Sequence, residues 1–266
     1  MSIRVGIFGV GGRMGQAVAN AVVADPDLEL VAAVDPSFAG VDIAEVTNVE
    51  GVNFDVASTS EAMIQSKTAV AIDFTNLEAA HKNLAFCAEN GIHSVVGTSG
   101  FSEADFDRIR DMFTSSNCLI AANFAIGAVL MSKFAEMAAP FFETAEIIEY
   151  HHNQKRDSPS GTAIYTAERM AAASSEWAQD PTELETVPGG RGAKGASGIP
   201  IHAVRMQGMT AHQEVVLGTT GQTLVLRHDS FDRSSFMPGV VVAAKYVGEM
   251  PGLTIGLEPA LNLLQE

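Results

Sequence analysis

Over the first ~120 residues, short apolar runs alternate with longer segments of helical period. The runs are IRVGIFGV, LELVAAVD, TAVAIDFT, HSVVGTSG and CLIAANF. RMGQAVANAVVA, EAAHKNLAFCAENG and EADFDRIRDMFTS carry the helical pattern between them. A strand that is apolar almost throughout must be covered on both faces, the situation of strands inside a parallel sheet flanked by helices. Strand–helix–strand repetition predicts right-handed crossovers and a doubly wound parallel sheet. In such sheets the ligand crevice lies beyond the carboxyl ends of the strands. Those ends carry Gly9, Asp73–Thr75 (with Phe74 between), Gly97–Ser99 and Ala122–Phe124, so these tips are candidate contacts.

The texture changes after about residue 125. GAVLMSKFAEMAAPFF reads as a long helix, AEIIEYHH as a strand, and TAIYTAERMAAASSEWA as another helix. VPGGRGAKGASGI reads as a mobile Gly/basic loop, either a lid or a linker. IHAVRMQ, HQEVVLGTT and QTLVLRHDS read as antiparallel strands, with TTGQ as a hairpin turn. The expected fold class is therefore α/β: an N-terminal Rossmann-like doubly wound sheet, plus a C-terminal α+β domain with a mainly antiparallel sheet. The expected division is 1–125, completed by 236–266, and 126–235. The tail MPGVVVAAKYVGEMPGLTIG is expected to return to the first domain as a helix.

The totals narrow the function. A chain of 266 residues holds one large or two medium domains, and 47% hydrophobic with 18% charged residues is a globular composition. No apolar run approaches the length of a membrane span, and MSIRVGIFGVGG runs straight into a Gly-rich turn, as a buried first strand does and a signal peptide does not. The formal net charge of −16 argues against a nucleic-acid surface. It also means that an anionic ligand must be held by a few placed Lys or Arg residues and by backbone N–H groups. Cys87 and Cys118 lack metal spacing, so reduced structural thiols in a cytoplasmic protein are expected.

The first motif is GIFGVGGRMG, residues 6–15, between a strand and a helix. Its spacing, Gly9-x-Gly11-x-x-Met14-Gly15 with an extra Gly12, departs by one position from the usual dinucleotide fingerprint. The physical logic survives: Gly9 permits the tight turn, Gly11 and Gly12 admit a pyrophosphate to the backbone, and the helix start receives its charge. LELVAAVD ends in Asp35, about twenty residues on, the place of an adenosine-ribose ligand. A carboxylate accepts from a ribose 2′-OH and repels a 2′-phosphate, and the next residue is Pro36 rather than an arginine. NADH is expected over NADPH, with Arg13 in the turn leaving NADPH possible.

The second motif is EIIEYHHNQKRDSPSGTA, residues 146–163. Pro159 cannot continue a preceding helix, and Ser160 suits a helix N-cap. The Gly161 and Thr162 N–H groups then stand at a helix start, ready for a carboxylate. Lys155 offers a positive charge or a proton, and His151 or His152 can exchange a proton near neutral pH. The set suits a small, multiply anionic substrate that must gain a proton. Adjacent histidines on a strand point to different sides, and no third ligand follows at useful spacing, so no metal is expected.

GGRMG, DFT at 73–75, GTSGF at 97–101, AANFAIG at 121–127 and EIIEYHHNQKRDSPSGTA together resemble the dihydrodipicolinate reductase family over essentially the whole chain. The resemblance implies NAD(P)H-dependent reduction of 4-hydroxy-tetrahydrodipicolinate with loss of water, a step of lysine and diaminopimelate biosynthesis. It implies a proton-donating His151 and a catalytic Lys155, with either as the donor. It implies substrate binding by His152, by Ser160, Gly161 and Thr162, and by Arg233. It implies cofactor contacts at Gly9, Val10, Gly11, Gly12, Arg13, Met14, Asp35, Phe74, Gly97, Thr98, Ser99, Ala122, Asn123, Phe124 and Ala125. A homotetramer built through the sheets of the second domains is also implied. Many members carry an arginine after the ribose acid, and Pro36 departs from that pattern. Two other readings share the first motif: another two-domain amino-acid dehydrogenase, and a dinucleotide-sensing protein without catalysis. The first lacks the HHNQKRDSPSGTA string, and the second leaves His151 and Lys155 without a task.

Overall fold

A computed structural model describes residues 2–261. The chain divides into two compact units, Met1–Phe124 with Arg233–Glu266, and Ala125–Asp232. Residues 262–266 of the expected segment 236–266 lie outside the described residues.

The first unit begins with β1 (Ile3–Phe8), α1 (Arg13–Ala24), β2 (Leu28–Val34), α2 (Ile43–Thr47), α3 (Glu61–Gln65), β3 (Val70–Asp73), α4 (Leu77–Glu89), β4 (His93–Val96), α5 (Glu103–Met112) and β5 (Cys118–Ile120). The second unit comprises α6 (Ile126–Ala138), β6 (Thr144–His151), α7 (Gly161–Ala173), β7 (Ala193–Lys194), β8 (Pro200–Arg205), β9 (Ala211–Thr219) and β10 (Gln222–Ser230). The chain then returns to the first unit as α8 (Met237–Tyr246) and β11 (Leu253–Ile255).

The first sheet is parallel, in the order β11-β5-β4-β3-β1-β2. Strand order reverses between β1 and β3, the place where ligands bind in doubly wound sheets. Register brings the tips level. Phe8 pairs with Val34 and with Asp73, Asp73 pairs with Val96, and Val96 pairs with Ile120. Gly9, Asp35, Phe74, Gly97 and Ala121, the next residue on each strand, therefore stand along one edge. Both faces of the strands are covered, as their apolar runs require. Val5, Ile7, Ile72, Val95 and Leu119 are buried on one side of the pleat, and Phe8, Val34, Val96 and Ile120 pack with Leu84, Cys87 and Ile109 on the other. Each such burial stabilises by about 1.5–3 kcal/mol before entropy is counted. Ser102 and Asp105 close a capping box on α5, which sets where that helix starts.

The tail differs from the sequence expectation. Beyond α8, residues Leu253–Ile255 form a sixth strand beside β5. Cys118 N–H donates to the Gly252 carbonyl at 2.8 Å, and Gly256 N–H to the Ile120 carbonyl at 2.9 Å. Three residues show no period, so this strand exists only through its distant partner.

The second sheet is mixed, in the order β10-β9-β6-β8-β7, with β6 and β8 parallel and the other pairs antiparallel. Ala145, Ile147, Ile201, Val215 and Leu217 pack on Met131, Ala135, Ala163, Ala167 and Met170 of α6 and α7. The hairpin between β9 and β10 turns at Gly221 (φ +77°). Helix α7 stops at Ala173, short of the expected run through SSEWA. Ser174 takes extended backbone there, and the Trp177 indole N–H donates to its carbonyl at 2.8 Å. The Gly/basic loop is less free than expected. Its Ala193–Lys194 pairs with β8, and the Arg191 guanidinium holds Glu146 at 2.5 Å and Asp180 at 3.2 Å. Arg191 is thus an anchor on the sheet, not the arm of a free lid.

Candidate active site

In the first unit, the turn after β1 and the start of α1 form a cradle. Gly9 has φ +74°, a conformation that a side chain strains. A Cβ on Gly15 would overlap the Gly9 carbonyl oxygen, so helix and turn meet only because that atom is missing. The α1 N-cap is Gly12, which provides no side-chain acceptor, and the first turn of the helix holds no acidic residue. The opening N–H groups of α1 consequently retain their capacity for an anion, aided by the helix dipole. Arg13, the first residue of the helix, and Met14 follow directly; Arg13 is exposed.

Asp35 lies beside this turn. Its Oδ2 accepts the Gly11 N–H and its Oδ1 accepts the Ser37 N–H, both at 3.0 Å. A cleft of about 510 Å³ opens along the edge where strand order reverses. Its lining includes Gly9, Gly12, Asp35, Thr59, Phe74 and Asn83. That is the space and donor set a dinucleotide requires: a bare backbone for the pyrophosphate and a carboxylate for a ribose. Ser58, Thr59 and Ser60 also line the cleft and went unread in the sequence, because the stretch before α3 carries no period.

The remaining tips are tied together by Asp73. Its buried carboxylate accepts the Thr75 N–H and hydroxyl, the Asn83 amide and the Thr98 hydroxyl, at 2.8, 2.6, 2.7 and 3.3 Å. The Phe74 ring covers Gly97 and lies 5.6 Å from that of Phe124. Ser99 and Ala122 are exposed and Asn123 half-buried, whereas Val10, Phe124 and Ala125 are buried.

In the second unit the conspicuous group is one the sequence reading passed over. Glu149 is fully buried at the end of β6, two residues before His151 and therefore on the same face of the strand. Its Oε2 lies 2.5 Å from His151 Nδ1. Arg205 grips both carboxylate oxygens at 2.7 and 2.8 Å, and the Ser160 N–H donates to Oε1 at 3.0 Å. Burial by itself would raise this carboxyl, but the His151 and Arg205 hydrogen bonds, with the Ser160 N–H, overcome it and hold it at about 2. Arg205 stands opposite His151 in the parallel β6–β8 pairing, and its guanidinium also donates to the Asp157 carbonyl at 2.8 Å.

Ser160 caps α7 as expected, its hydroxyl accepting the Ala163 N–H at 3.3 Å. The Gly161 and Thr162 N–H groups have no acceptor among the described residues, and a Cβ on Gly161 would meet open space. Lys155 Nζ is held by both oxygens of Asp157, at 2.9 and 2.7 Å. That bond keeps the Asp157 carboxyl below its ordinary range. His152 is exposed, and its carbonyl accepts the Lys155 N–H at 3.1 Å. His151, Lys155, Ser160, Gly161 and Thr162 thus share one corner of this unit. Arg233 does not join them within it: it opens the one-turn 3₁₀ helix Arg233–Phe236 in the first unit and is exposed. Glu149 could have been read from its two-residue spacing to His151. Arg205 could not, since its place depends on strand pairing.

Among the described residues no group of three or more His, Cys, Asp or Glu is placed to hold a metal, and no helix is long and apolar enough to cross a membrane.

The family model for the N-terminus of dihydrodipicolinate reductase matches residues 3–124, and that for its C-terminus matches residues 127–261. The chain belongs to the dihydrodipicolinate reductase family. Its relatives include the 4-hydroxy-tetrahydrodipicolinate reductases of Mycobacterium marinum, 47% identical over 98% of this chain and 100% of the relative, and Corynebacterium urealyticum, 45% identical over 98% and 99%. Among solved structures, dipicolinate-bound dihydrodipicolinate reductase from Paenisporosarcina sp. TG-14 superposes with a TM-score of 0.86 at 39% identity, covering 97% of this chain and 99% of that one. An amine dehydrogenase from Mycobacterium smegmatis shares the fold alone, with a TM-score of 0.65 at 15% identity over 96% of this chain and 95% of that one. Membership makes the chain an oxidoreductase with a dinucleotide-binding fold.

Proposed function

We propose that the chain reduces 4-hydroxy-tetrahydrodipicolinate to tetrahydrodipicolinate with a reduced nicotinamide dinucleotide, with loss of water, in the cytoplasmic route to diaminopimelate and lysine. The observation that carries this reading is the corner of the second unit where His151, Lys155 and the open start of α7 meet. It offers a proton, a positive charge and unpaired N–H groups to one small dicarboxylate. The solved relative from Paenisporosarcina holds dipicolinate, a molecule of that class.

The cofactor, when bound, supplies a hydride to C4 of the ring. The chain's residues do the rest. The α1 start and the Gly9–Gly12 turn hold the pyrophosphate, and Asp35 accepts from the adenosine ribose. The strand tips at Gly97–Ser99 and Ala122–Ala125 line the cofactor's path. The Gly161 and Thr162 N–H groups, set by the Ser160 cap, hold one substrate carboxylate, with Lys155 and His152 beside it. Arg233 is a further substrate contact in this reading. The carbon next to C4 must gain a proton, and His151 Nε2 is the side of the imidazole not taken by Glu149. General acid catalysis of this kind contributes about 10²–10⁴-fold. Asp35 followed by Pro36 favours NADH, and exposed Arg13 keeps NADPH usable.

The assembly is a homotetramer joined through the second sheets. Ile148, Tyr150, Val216 and Val225 alternate with the buried residues of their strands, so they lie on the face turned away from α6 and α7, where all four are half-buried or exposed. Apolar side chains on an open sheet face gain by pairing with a copy of that face.

The test is oxidation of NADH and NADPH, run side by side, with substrate made in place from pyruvate and aspartate semialdehyde by the preceding synthase. Substrate-dependent oxidation establishes the reaction. Its absence in protein that binds NADH would discard it.

A further inference from the structure

One carboxylate serves three parts of the second unit at once. Glu149, wholly buried, meets the His151 imidazole through Oε2 and the Ser160 N–H through Oε1. Arg205 closes over both oxygens and reaches on to the Asp157 carbonyl, in the segment whose side chain holds Lys155. The proton-bearing ring, the helix start with its open N–H groups, and the lysine segment are therefore referred to one buried ion pair. A buried carboxylate is costly unless every lone pair is used, and a packed apolar residue would serve stability as well. Its presence calls for a task that needs the charge.

We propose that Glu149 is the positioning residue of the reduction, acting through His151. This rests on the reading of His151 as a proton donor given above. The Nδ1–H donates to Glu149, which fixes the ring plane and leaves Nε2 as the nitrogen that carries the delivered proton. When both ring nitrogens are protonated, the carboxylate offsets the positive charge, and it stays ionised throughout, as the buried aspartate of a catalytic triad does. Through Oε1 the same group fixes Ser160, the N-cap residue of α7, so the donor nitrogen and the carboxylate clamp keep one relative placement. Arg205 satisfies the remaining lone pairs and prevents the carboxylate from turning toward solvent.

The experiment compares Glu149→Gln, Glu149→Asp, His151→Gln and the Glu149→Gln/His151→Gln double variant with the wild type. It measures kcat, KM and NADH affinity by fluorescence. In Glu149→Gln the amide keeps the shape but loses the charge. We expect kcat to fall by about 10²-fold, with NADH affinity unchanged. The double variant should be no slower than His151→Gln alone, because Glu149 works only through that ring. ¹⁵N resonances of the imidazole should show the Nδ1–H tautomer in the wild type and its loss in Glu149→Gln. Glu149→Asp keeps a charge for Arg205 but withdraws the oxygens from His151, so it answers the same question should the amide variant fail to fold. Unchanged kcat in a folded Glu149 variant overturns the proposal, as do losses that multiply in the double variant. If the wild type itself does not turn over, or His151→Gln is fully active, the underlying reading fails instead.

Discussion

Asp35 Oδ2 accepts the Gly11 N–H at 3.0 Å, so the acid that ends β2 is hydrogen-bonded to the turn that ends β1. The two candidate dinucleotide contacts, 24 residues apart in sequence, form one surface. This bond also limits where the carboxylate can point. It stays in the cleft, where a 2′-phosphate would meet its charge.

Asp35→Gly should accordingly shift the ratio of NADH to NADPH turnover toward NADPH, by roughly 10-fold, the effect of about 1.4 kcal/mol of relieved repulsion. Steady-state rates with each cofactor check this. An unchanged ratio would show that Asp35 does not read the ribose.

Gly15→Ala places a methyl group on the Gly9 carbonyl, and backbone cannot swing aside as a side chain can. A destabilisation of about 1–3 kcal/mol is expected, with NADH affinity lost in step. Urea unfolding and fluorescence titration measure the two. A variant as stable as wild type and still binding NADH would contradict the close packing of α1 on the turn.

His151→Gln should lower kcat by about 10²–10⁴-fold while KM moves little, since a proton donor acts in the transition state. Lys155→Ala should damage both constants, because an ammonium beside a dicarboxylate binds as well as assists. Intact turnover in both variants would remove the assignment of this corner.

Glu149 makes stability depend on pH in a definite direction. Its hydrogen bonds to His151 and Arg205 overcome the effect of burial and bring the carboxyl from 4.5 to about 2. The folded state therefore holds its proton less tightly than the unfolded chain. The contribution is complete above about 4.5 and is lost as pH falls toward 2. Melting temperature followed downward from neutral pH should fall through that window, and less steeply in Glu149→Gln. Parallel curves for the two proteins would refute the linkage.

Val225, 50% exposed on β10, should weaken self-association when changed to glutamate, since a like charge from each copy would face the other. Light scattering should show a tetramer for the wild type and a smaller species for Val225→Glu. The same mass for both would move the interface elsewhere.

Periodicity made most of the first unit readable. Strands such as β1 and β3 are apolar nearly throughout, and helices such as α1 and α4 keep a buried stripe, so fold class followed from local pattern. Pattern fails for short pieces. β11 has three residues, β7 has two, and α2 and α3 have five each, too few to show any period. They form because a distant partner supplies their hydrogen bonds or covers their apolar residues. The same limit applied in the second unit, where His151, Lys155 and Ser160 stood out in a single stretch, whereas Arg205 is 56 residues from Glu149.

What the sequence by itself determined is therefore local chemistry: which turn has a bare backbone, where a helix must start at Ser160, and which side chains can carry a proton or a charge. Those properties reside in residue type and spacing along a few turns of chain. What only the tertiary structure decided is which groups meet. Strand register sets Arg205 opposite His151, and both Glu149 oxygens turn inward to partners from β6, β8 and the start of α7. Such meetings depend on pairings between segments far apart, and a buried carboxylate exists only where all of its partners arrive together.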